Sequence, residues 1–208
     1  MNILIGDDHS VVRRGLKAIL GEAYPNADIE EAIDGSDLLK KAVSREWQII
    51  ISDITMPDLS GLEVVKKIKE LKPRIPVLIL SIHSAEHYAT RVLKAGAAGY
   101  LTKESATEEL VNAVKHIISG RKYITPEIAE MFVDQHMETS KTELHKALSD
   151  REFEVLKLIA SGKTSSEIAD MLVLSINTIS TYRSRILEKM RMANNAELTK
   201  YAISKGLA

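Results

Sequence analysis

The chain has 208 residues, enough for one large or two ordinary domains, with 45% hydrophobic residues and a net charge of −1. The absence of cysteine excludes disulfides, thiolate metal sites and cysteine nucleophiles. The first residues lack the basic and apolar regions of a secretory signal, and the apolar runs are too short to cross a bilayer, so we expect a soluble, cytoplasmic protein.

Short apolar runs alternate with segments of helical periodicity from residue 1 to about 120. The predicted strands are Asn2–Gly6, Ile29–Ala32, Gln48–Asp53, Ile75–Ser81 and Ala98–Thr102. A helix is predicted after each strand, and the first of these helices has an apolar stripe from Val11 to Leu20. The strands are rich in β-branched residues on both faces, which favours an α/β fold with a parallel sheet covered by helices.

Residues 122–145 break this pattern and are predicted to link two domains. Thr125 and Pro126 open a short helix, with the threonine as its N-cap. The polar stretch Glu138–Lys146 is typical of a linker. We therefore predict one domain over residues 1–121 and a second over residues 146–208.

The C-terminal segment, residues 146–208, is predicted to be helical throughout. Four successive helices begin after the N-cap candidates Ser149, Thr164, Ser175 and Asn194. A short helix, a tight turn and a longer helix are typical of a helix-turn-helix. The segment has ten Lys and Arg against seven Asp and Glu, which suggests an anionic partner, although a merely solvated surface would look the same.

Polar side chains follow four of the predicted strands at their carboxyl ends. They are Asp7 and Asp8, Asp53, Ser81 and Lys103. Because the carboxyl ends of parallel strands meet at one edge of a sheet, we expect these side chains to share a pocket. Three neighbouring carboxylates repel one another unless a cation lies between them, and Mg²⁺ (or Mn²⁺) suits such ligands. The ordinary alternative is that these acidic residues are solvated loop residues.

The same separated motifs resemble a two-component receiver domain. The Asp7-Asp8 pair is followed by Asp-x-x-Met-Pro-x-x-x-Gly over residues 53–61, and then by Ser81 and Lys103 at later strand ends. The resemblance implies a flavodoxin-like, doubly wound sheet of five parallel strands in the order 2-1-3-4-5.

This resemblance also assigns roles to the residues of the pocket. Asp53 is the phosphoacceptor, which agrees with the ability of a carboxylate to attack phosphorus. Asp8, Asp53 and the carbonyl of Thr55 are expected to hold Mg²⁺, with Asp7 assisting. Lys103 is expected to contact the phosphoryl group.

Two further residues occupy the family's switch positions. Ser81 is expected to bind a phosphoryl oxygen, and Tyr100 to turn into the space that Ser81 vacates. The alternative is that Tyr100 is a partly exposed aromatic residue without a switching role. Glu104 follows Lys103, where many receivers have proline, so the cis X-Pro bond of those receivers is not available here.

The third C-terminal helix presents a polar face with few bulky apolar side chains. The candidate DNA-contacting residues on and beside this face are Thr178, Ser180, Thr181, Ser184, Arg185 and Lys189. Such a surface is suited to the major groove, but periodicity alone favours a solvated interaction domain equally.

A longer pattern resembles the LuxR-type helix-turn-helix. It combines Leu148-Ser149-x-Arg-Glu-x-Glu-Val-Leu with Ile-Ala-x-Gly-Lys over residues 159–163 and Leu174-Ser175-x-x-Thr-Ile. Family members often have lysine where this chain has Ser180, which leaves the base preference undefined. Together with the receiver motifs, the pattern is similar to response regulators of the NarL/FixJ class.

The resemblance implies a transcription regulator that a histidine kinase phosphorylates on Asp53 and that binds promoter DNA, as a dimer, with RNA polymerase as a further possible partner. Such a protein is no enzyme beyond its own phosphorylation and slow dephosphorylation. Two alternatives stay open from the residues: a metal-dependent phosphotransferase or phosphatase for an external substrate, and a DNA-binding or scaffold protein that does not depend on phosphorylation.

Overall fold

The computed structural model describes residues 1–82, 85–137 and 144–207. The chain divides into two compact units, Met1–Met137 and Glu138–Ala208. No helix within the described ranges is long and apolar enough to cross a membrane.

The first unit is built from five strands and six helices among the residues described. The strands are β1 (Asn2–Gly6), β2 (Asp28–Ala32), β3 (Ile49–Asp53), β4 (Val77–Ser81) and β5 (Gly99–Thr102). The helices are α1 (Ser10–Ala23), α2 (Gly35–Ser44), α3 (Gly61–Leu71), α4 (Ala85–Lys94), α5 (Ala106–Ile118) and α6 (Pro126–Met137). The alternation of strand and helix confirms the predicted α/β class.

The five strands form one parallel sheet in the order β2-β1-β3-β4-β5. This order confirms the flavodoxin-like topology. Both faces of the sheet are covered, since Ile3 and Leu4, consecutive residues of β1 that point to opposite faces, are completely buried. One face of the sheet packs on α1 and α5 through a continuous core, whose helical members include Leu16, Leu20 and Leu110.

The start of α3 lies directly against the end of β3. A Cβ atom at Gly61 would come within 2.0 Å of the carbonyl oxygen of Asp53, so only glycine fits there. Ser60 caps the helix, and its backbone N–H in turn donates a hydrogen bond to the Glu63 carboxylate. This local packing fixes the loop that follows Asp53.

The segment after α5 returns to the sheet beside β5. The backbone N–H of Tyr123 donates to the carbonyl of Ala98 (2.8 Å), and Tyr123 forms an isolated bridge with Gly99. Helix α6 then packs against α4 and buries Ile128. The segment predicted as a linker therefore begins with residues that belong to the first unit, and the domain boundaries at 121 and 146 stay predictions.

The second unit is helical in its described part, as predicted. A short 3₁₀ helix (Leu144–Ala147) precedes α7 (Asp150–Ala160), α8 (Ser165–Leu172), α9 (Ile176–Met190) and α10 (Asn195–Ser204). The four predicted N-caps accept hydrogen bonds from the helix backbone in the expected way, and they are Ser149, Thr164, Ser175 and Asn194. Only Val173, Leu174 and the cap Ser175 separate α8 from α9, which gives the predicted helix-turn-helix outline.

Candidate functional site

The carboxyl edge of the sheet brings three of the predicted pocket residues into direct contact. Lys103 Nζ lies 2.7 Å from Asp53 Oδ2 and 2.7 Å from Asp7 Oδ2. Asp7 follows β1, Asp53 ends β3 and Lys103 follows β5, so the parallel topology creates this contact. Both carboxylates are almost completely buried, at 1% and 4% exposure. The predicted convergence of these side chains is therefore present in the structure.

Asp8 and His9 extend this cluster toward solvent. One possible ligand atom from each of Asp7, Asp8, His9 and Asp53 lies within 4.8 Å of the others. His9 Nδ1 lies 2.7 Å from Asp8 Oδ1, and the His9 backbone N–H donates to Asp7 Oδ1 at 2.8 Å. The position of His9 beside Asp8 in the sequence allows a metal-binding or acid–base role, but the family pattern gives it no fixed role and favours an ordinary loop residue.

The electrostatic environment of Asp53 disfavours its charged form. Burial raises the pKa of Asp53 to about 6, against the opposing attraction and hydrogen bond of Lys103. The charge of Asp7 adds to the rise, and a weak 3.4 Å hydrogen bond from the Thr55 N–H opposes it. Asp53 is therefore a buried carboxylate that gains from any additional cation.

Lys103 supplies positive charge to the pocket without neutralising it fully. Burial alone would lower the pKa of Lys103, but attraction to Asp53 and Asp7 outweighs burial and raises the pKa. Asp7 Oδ2 is buried, and the Lys103 ammonium lies 2.7 Å from it. Three carboxylates against one ammonium leave an excess of oxygen ligands, which fits a hard divalent cation.

The loop after Asp53 brings Thr55 back toward the carboxylate through its backbone N–H. The predicted use of the Thr55 carbonyl as a metal ligand stays a prediction. Arg13 donates to the Asp7 backbone carbonyl at 2.7 Å and pairs with Glu31 at 3.1 Å. Sequence reasoning missed this support of the Asp7 loop, since Glu31 lies on a different strand.

The two predicted switch residues are neighbours in the structure. Tyr100 is 1% exposed, so the alternative of a partly exposed ring is wrong. Burial raises the pKa of the Tyr100 hydroxyl to about 12, against the effect of a hydrogen bond with Ser81. Ser81 is completely buried at the end of β4. The pair is in contact beside Asp53, and its switching role stays a prediction.

The outer face of α9 is polar and exposed, as predicted. Ile179, Ile186 and Met190 are completely buried on its inner face. Four of the candidate contact residues, Ser180, Thr181, Ser184 and Arg185, are exposed, and Thr178 is half-buried. A shallow cavity of about 280 Å³ lies along this face and is lined by Asn177, Thr178, Thr181, Tyr182 and Arg185.

Lys189 differs from the other candidate DNA contacts. Its Nζ lies 2.6 Å from Oε2 of Glu152, a residue of the α7 capping box whose side chain is 3% exposed. Burial would raise the pKa of Glu152, but hydrogen bonds from Lys189 and Ser149 outweigh it and lower the pKa. Lys189 thus joins α9 to α7 within the second unit, a contact that nothing in the local sequence signals.

Comparisons with known proteins agree with both units. Residues 3–115 match the model of the response regulator receiver domain, and residues 146–202 match that of bacterial regulatory proteins of the luxR family. Response regulator UvrY of Escherichia coli K12 is 35% identical over 208 residues, covering 100% of this chain and 95% of that protein. Response regulator GacA of Pseudomonas protegens is 34% identical, with 100% and 97% covered.

Solved structures show the same similarity over nearly the whole chain. RcsB of Salmonella enterica, bound to promoter rprA in the presence of the phosphomimetic BeF₃⁻, is 27% identical with a TM-score of 0.65. The match covers 98% of this chain and 99% of that one. A second RcsB–DNA complex is 27% identical with a TM-score of 0.59, and 98% of each chain is covered.

Proposed function

The chain belongs to the two-component response regulators of the NarL/FixJ class, and on that premise we propose that a histidine kinase phosphorylates Asp53 and that the phosphorylated chain binds promoter DNA. The observation that carries the proposal is the Lys103 ammonium held between the buried carboxylates of Asp53 and Asp7. A positioned carboxylate beside a fixed cation is what acceptance of a phosphoryl group requires.

In the transfer, a carboxylate oxygen of Asp53 attacks phosphorus as the phosphorus–nitrogen bond of the phosphohistidine donor breaks. The bonding electrons leave with the imidazole, and an acyl phosphate forms on Asp53. The pKa of about 6 leaves Asp53 mostly ionised near neutral pH and therefore able to attack. Lys103 is in place to contact the phosphoryl oxygens, whose charge it offsets.

Asp8 and Asp53, with Asp7 assisting and the Thr55 carbonyl, would hold Mg²⁺ or Mn²⁺. When bound, the metal offsets the charge of the carboxylates and of the phosphoryl oxygens. The close grouping of these carboxylates supports this assignment.

In this proposal, phosphorylation of Asp53 affects the rest of the chain through Ser81 and Tyr100. A phosphoryl oxygen on Asp53 offers Ser81 a charged acceptor in place of its contact with Tyr100. Tyr100 lies on β5 next to Gly99, which is bridged to Tyr123 just before α6. A change at Tyr100 is therefore passed on to the segment that leads toward the second unit.

The second unit is proposed to read DNA with the exposed face of α9. Arg185 would contact phosphate, and the hydroxyl and amide groups near the start of α9 would reach base edges. The DNA complexes of the RcsB relatives support this assignment. A dimer would place two such helices on two half-sites, where RNA polymerase can then be engaged.

The proposal is tested by DNA affinity with and without acetyl phosphate and Mg²⁺. The duplex is one selected from a random pool by the phosphorylated wild type. Affinity should rise on phosphorylation in the wild type and in Asp58→Asn, a matched control in which a nearby loop carboxylate is removed. Asp53→Asn should show no rise. An equal rise in all three proteins would contradict the proposal.

A further inference from the structure

A second polar cavity lies at the edge of the sheet opposite to the phosphoacceptor pocket. Its volume is about 450 Å³, and its lining includes Gln48, Pro76 and Ala98, which directly precede β3, β4 and β5. All of its lining residues belong to the first unit. The position at the amino ends of these strands separates the cavity from Asp53 by the length of β3.

Four cationic side chains line this basic cavity. They are Lys69, Arg74, Arg121 and Lys122. No aspartate or glutamate is among the lining residues, all of which fall within the described ranges. Basic residues nearby are paired instead, as Arg45 is with Asp28 at 2.8 Å and with Glu30 at 2.7 Å. The cavity therefore concentrates positive charge in a unit that has 17 Lys and Arg against 20 Asp and Glu, a net charge of −3.

Two of the four cations are held in place by the backbone and side chains around them. Lys69 Nζ donates to the carbonyls of Ile75 (2.7 Å) and Pro73 (3.2 Å), which leaves its third N–H available. The guanidinium of Arg121 donates through Nε to Ser119 Oγ at 3.1 Å, which leaves its two terminal nitrogens available. These donors are partly pre-organised for a ligand.

The other two cations, Arg74 and Lys122, are exposed and have no ion pair among the described residues. Burial and the charge of Lys122 together lower the pKa of Lys69. The cations thus repel one another without a compensating carboxylate in the cavity lining. An anion that enters the cavity relieves this repulsion and gains hydrogen bonds from lysine and arginine together.

We propose that the basic cavity binds a small anion with two or more linked phosphate groups. The fork of an arginine and the ammonium of a lysine are the donors that phosphate oxygens prefer. A volume of about 450 Å³ lies within the range of small-molecule sites, roughly 300–1,000 Å³, and exceeds the size of a single phosphate. The site does not depend on phosphorylation of Asp53, since it lies at the opposite edge of the sheet.

The test is calorimetric titration of the full chain with inorganic pyrophosphate at constant ionic strength, with EDTA to keep divalent cations away from the carboxylate pocket. Three proteins are compared: the wild type, Arg74→Ala/Lys122→Ala, and Lys40→Ala/Lys67→Ala. The third protein loses the same charge from exposed lysines outside the cavity. The cavity variant should bind at least about tenfold more weakly than the wild type, and the control within about twofold.

Two results would overturn the proposal. One is a wild type that binds no pyrophosphate. The other is an equal loss in the cavity variant and the control, which shows attraction by overall charge alone. A parallel titration with a random DNA duplex tests whether the cavity binds small phosphate compounds or the phosphates of nucleic acid. The cavity variant should bind the duplex as the wild type does, and a loss of duplex affinity without pyrophosphate binding would also overturn the small-anion site.

Discussion

The ammonium of Lys103 donates a 2.7 Å hydrogen bond to Oδ2 of Asp53, fifty residues away in the sequence. The two side chains meet because β3 and β5 both end at the same edge of a parallel sheet, with β4 between them. This contact places a fixed positive charge beside the carboxylate that is proposed to receive the phosphoryl group, and it leads to the first prediction.

Lys103→Met should slow the phosphorylation of Asp53 on the order of a hundredfold, the usual effect of removing one pre-organised donor from developing charge. Methionine keeps much of the length of the side chain while it removes the charge. The rate of acyl-phosphate formation from acetyl phosphate measures the effect. Lys115→Met removes an exposed lysine on α5 and should leave the rate unchanged. Equal rates in the two variants would contradict a role for Lys103.

Asp53→Asn should stabilise the folded chain near neutral pH without metal. Folding raises the pKa of Asp53 from 3.8 to about 6, so the folded state binds the proton more tightly than the unfolded state. The stability that protonation gives is fully present below the unfolded pKa and is lost as pH rises through about 6. Asparagine imitates the neutral form and should therefore raise the free energy of unfolding near neutral pH by up to about 3 kcal/mol.

Urea unfolding in EDTA at a series of pH values measures this difference in unfolding free energy. The advantage of Asp53→Asn should shrink as pH falls from about 7 and vanish below about 4, where the wild-type carboxyl is protonated in both states. A variant that is less stable than the wild type throughout would show that the Lys103 contact outweighs the burial of Asp53.

Gly99→Ala should uncouple the two units while leaving the pocket able to react. A Cβ atom at Gly99 would lie 3.0 Å from the Tyr123 carbonyl oxygen and 3.1 Å from both Tyr123 Cβ and Leu78 Cδ1, so these neighbours, and with them the bridge to β5, must shift by a few tenths of an ångström. Phosphorylation by acetyl phosphate should proceed as in the wild type, and the resulting gain in DNA affinity should fall at least about threefold. Gly21→Ala meets nothing within 4 Å and is the matched control. An unchanged gain in both variants would exclude Tyr123 from the coupling.

Arg185→Ala and Lys189→Ala should have different effects, although both residues lie on α9. Arg185 is exposed, so its loss should weaken DNA binding and reduce the salt slope by about one without changing stability. Lys189 pairs with buried Glu152, so its loss should lower the unfolding free energy by about 1 kcal/mol, a modest value because the lysine itself is 40% exposed. DNA titrations at several salt concentrations and urea unfolding together measure both effects. A change in salt slope for Lys189→Ala alone would reverse the assignment.

The sequence allowed the pocket to be predicted because a parallel sheet gathers its strand ends at one edge. Asp7, Asp53 and Lys103 required only the positions of three strands. Helical periodicity was less informative about helix ends. Val11, predicted to belong to the apolar stripe of α1, is 71% exposed in the first turn of that helix.

Contacts between distant elements could not be predicted in the same way. Lys189 and Glu152 lie 37 residues apart on two helices, and their pairing depends on how α7 and α9 pack. The basic cavity likewise gathers its cations from α3, the loop before β4 and the segment after α5. Residue spacing within a single helix or strand predicts neither arrangement, because each depends on how different elements pack against one another.

The most direct measurement of the central claim is labelling of the full chain with radiolabelled acetyl phosphate and Mg²⁺, followed by mapping of the labelled peptide. The wild type and Asp58→Asn should each carry an acyl phosphate on the peptide that contains residue 53, and Asp53→Asn should carry none. Labelling of Asp53→Asn to the wild-type extent would contradict the assignment of Asp53 as the phosphoacceptor.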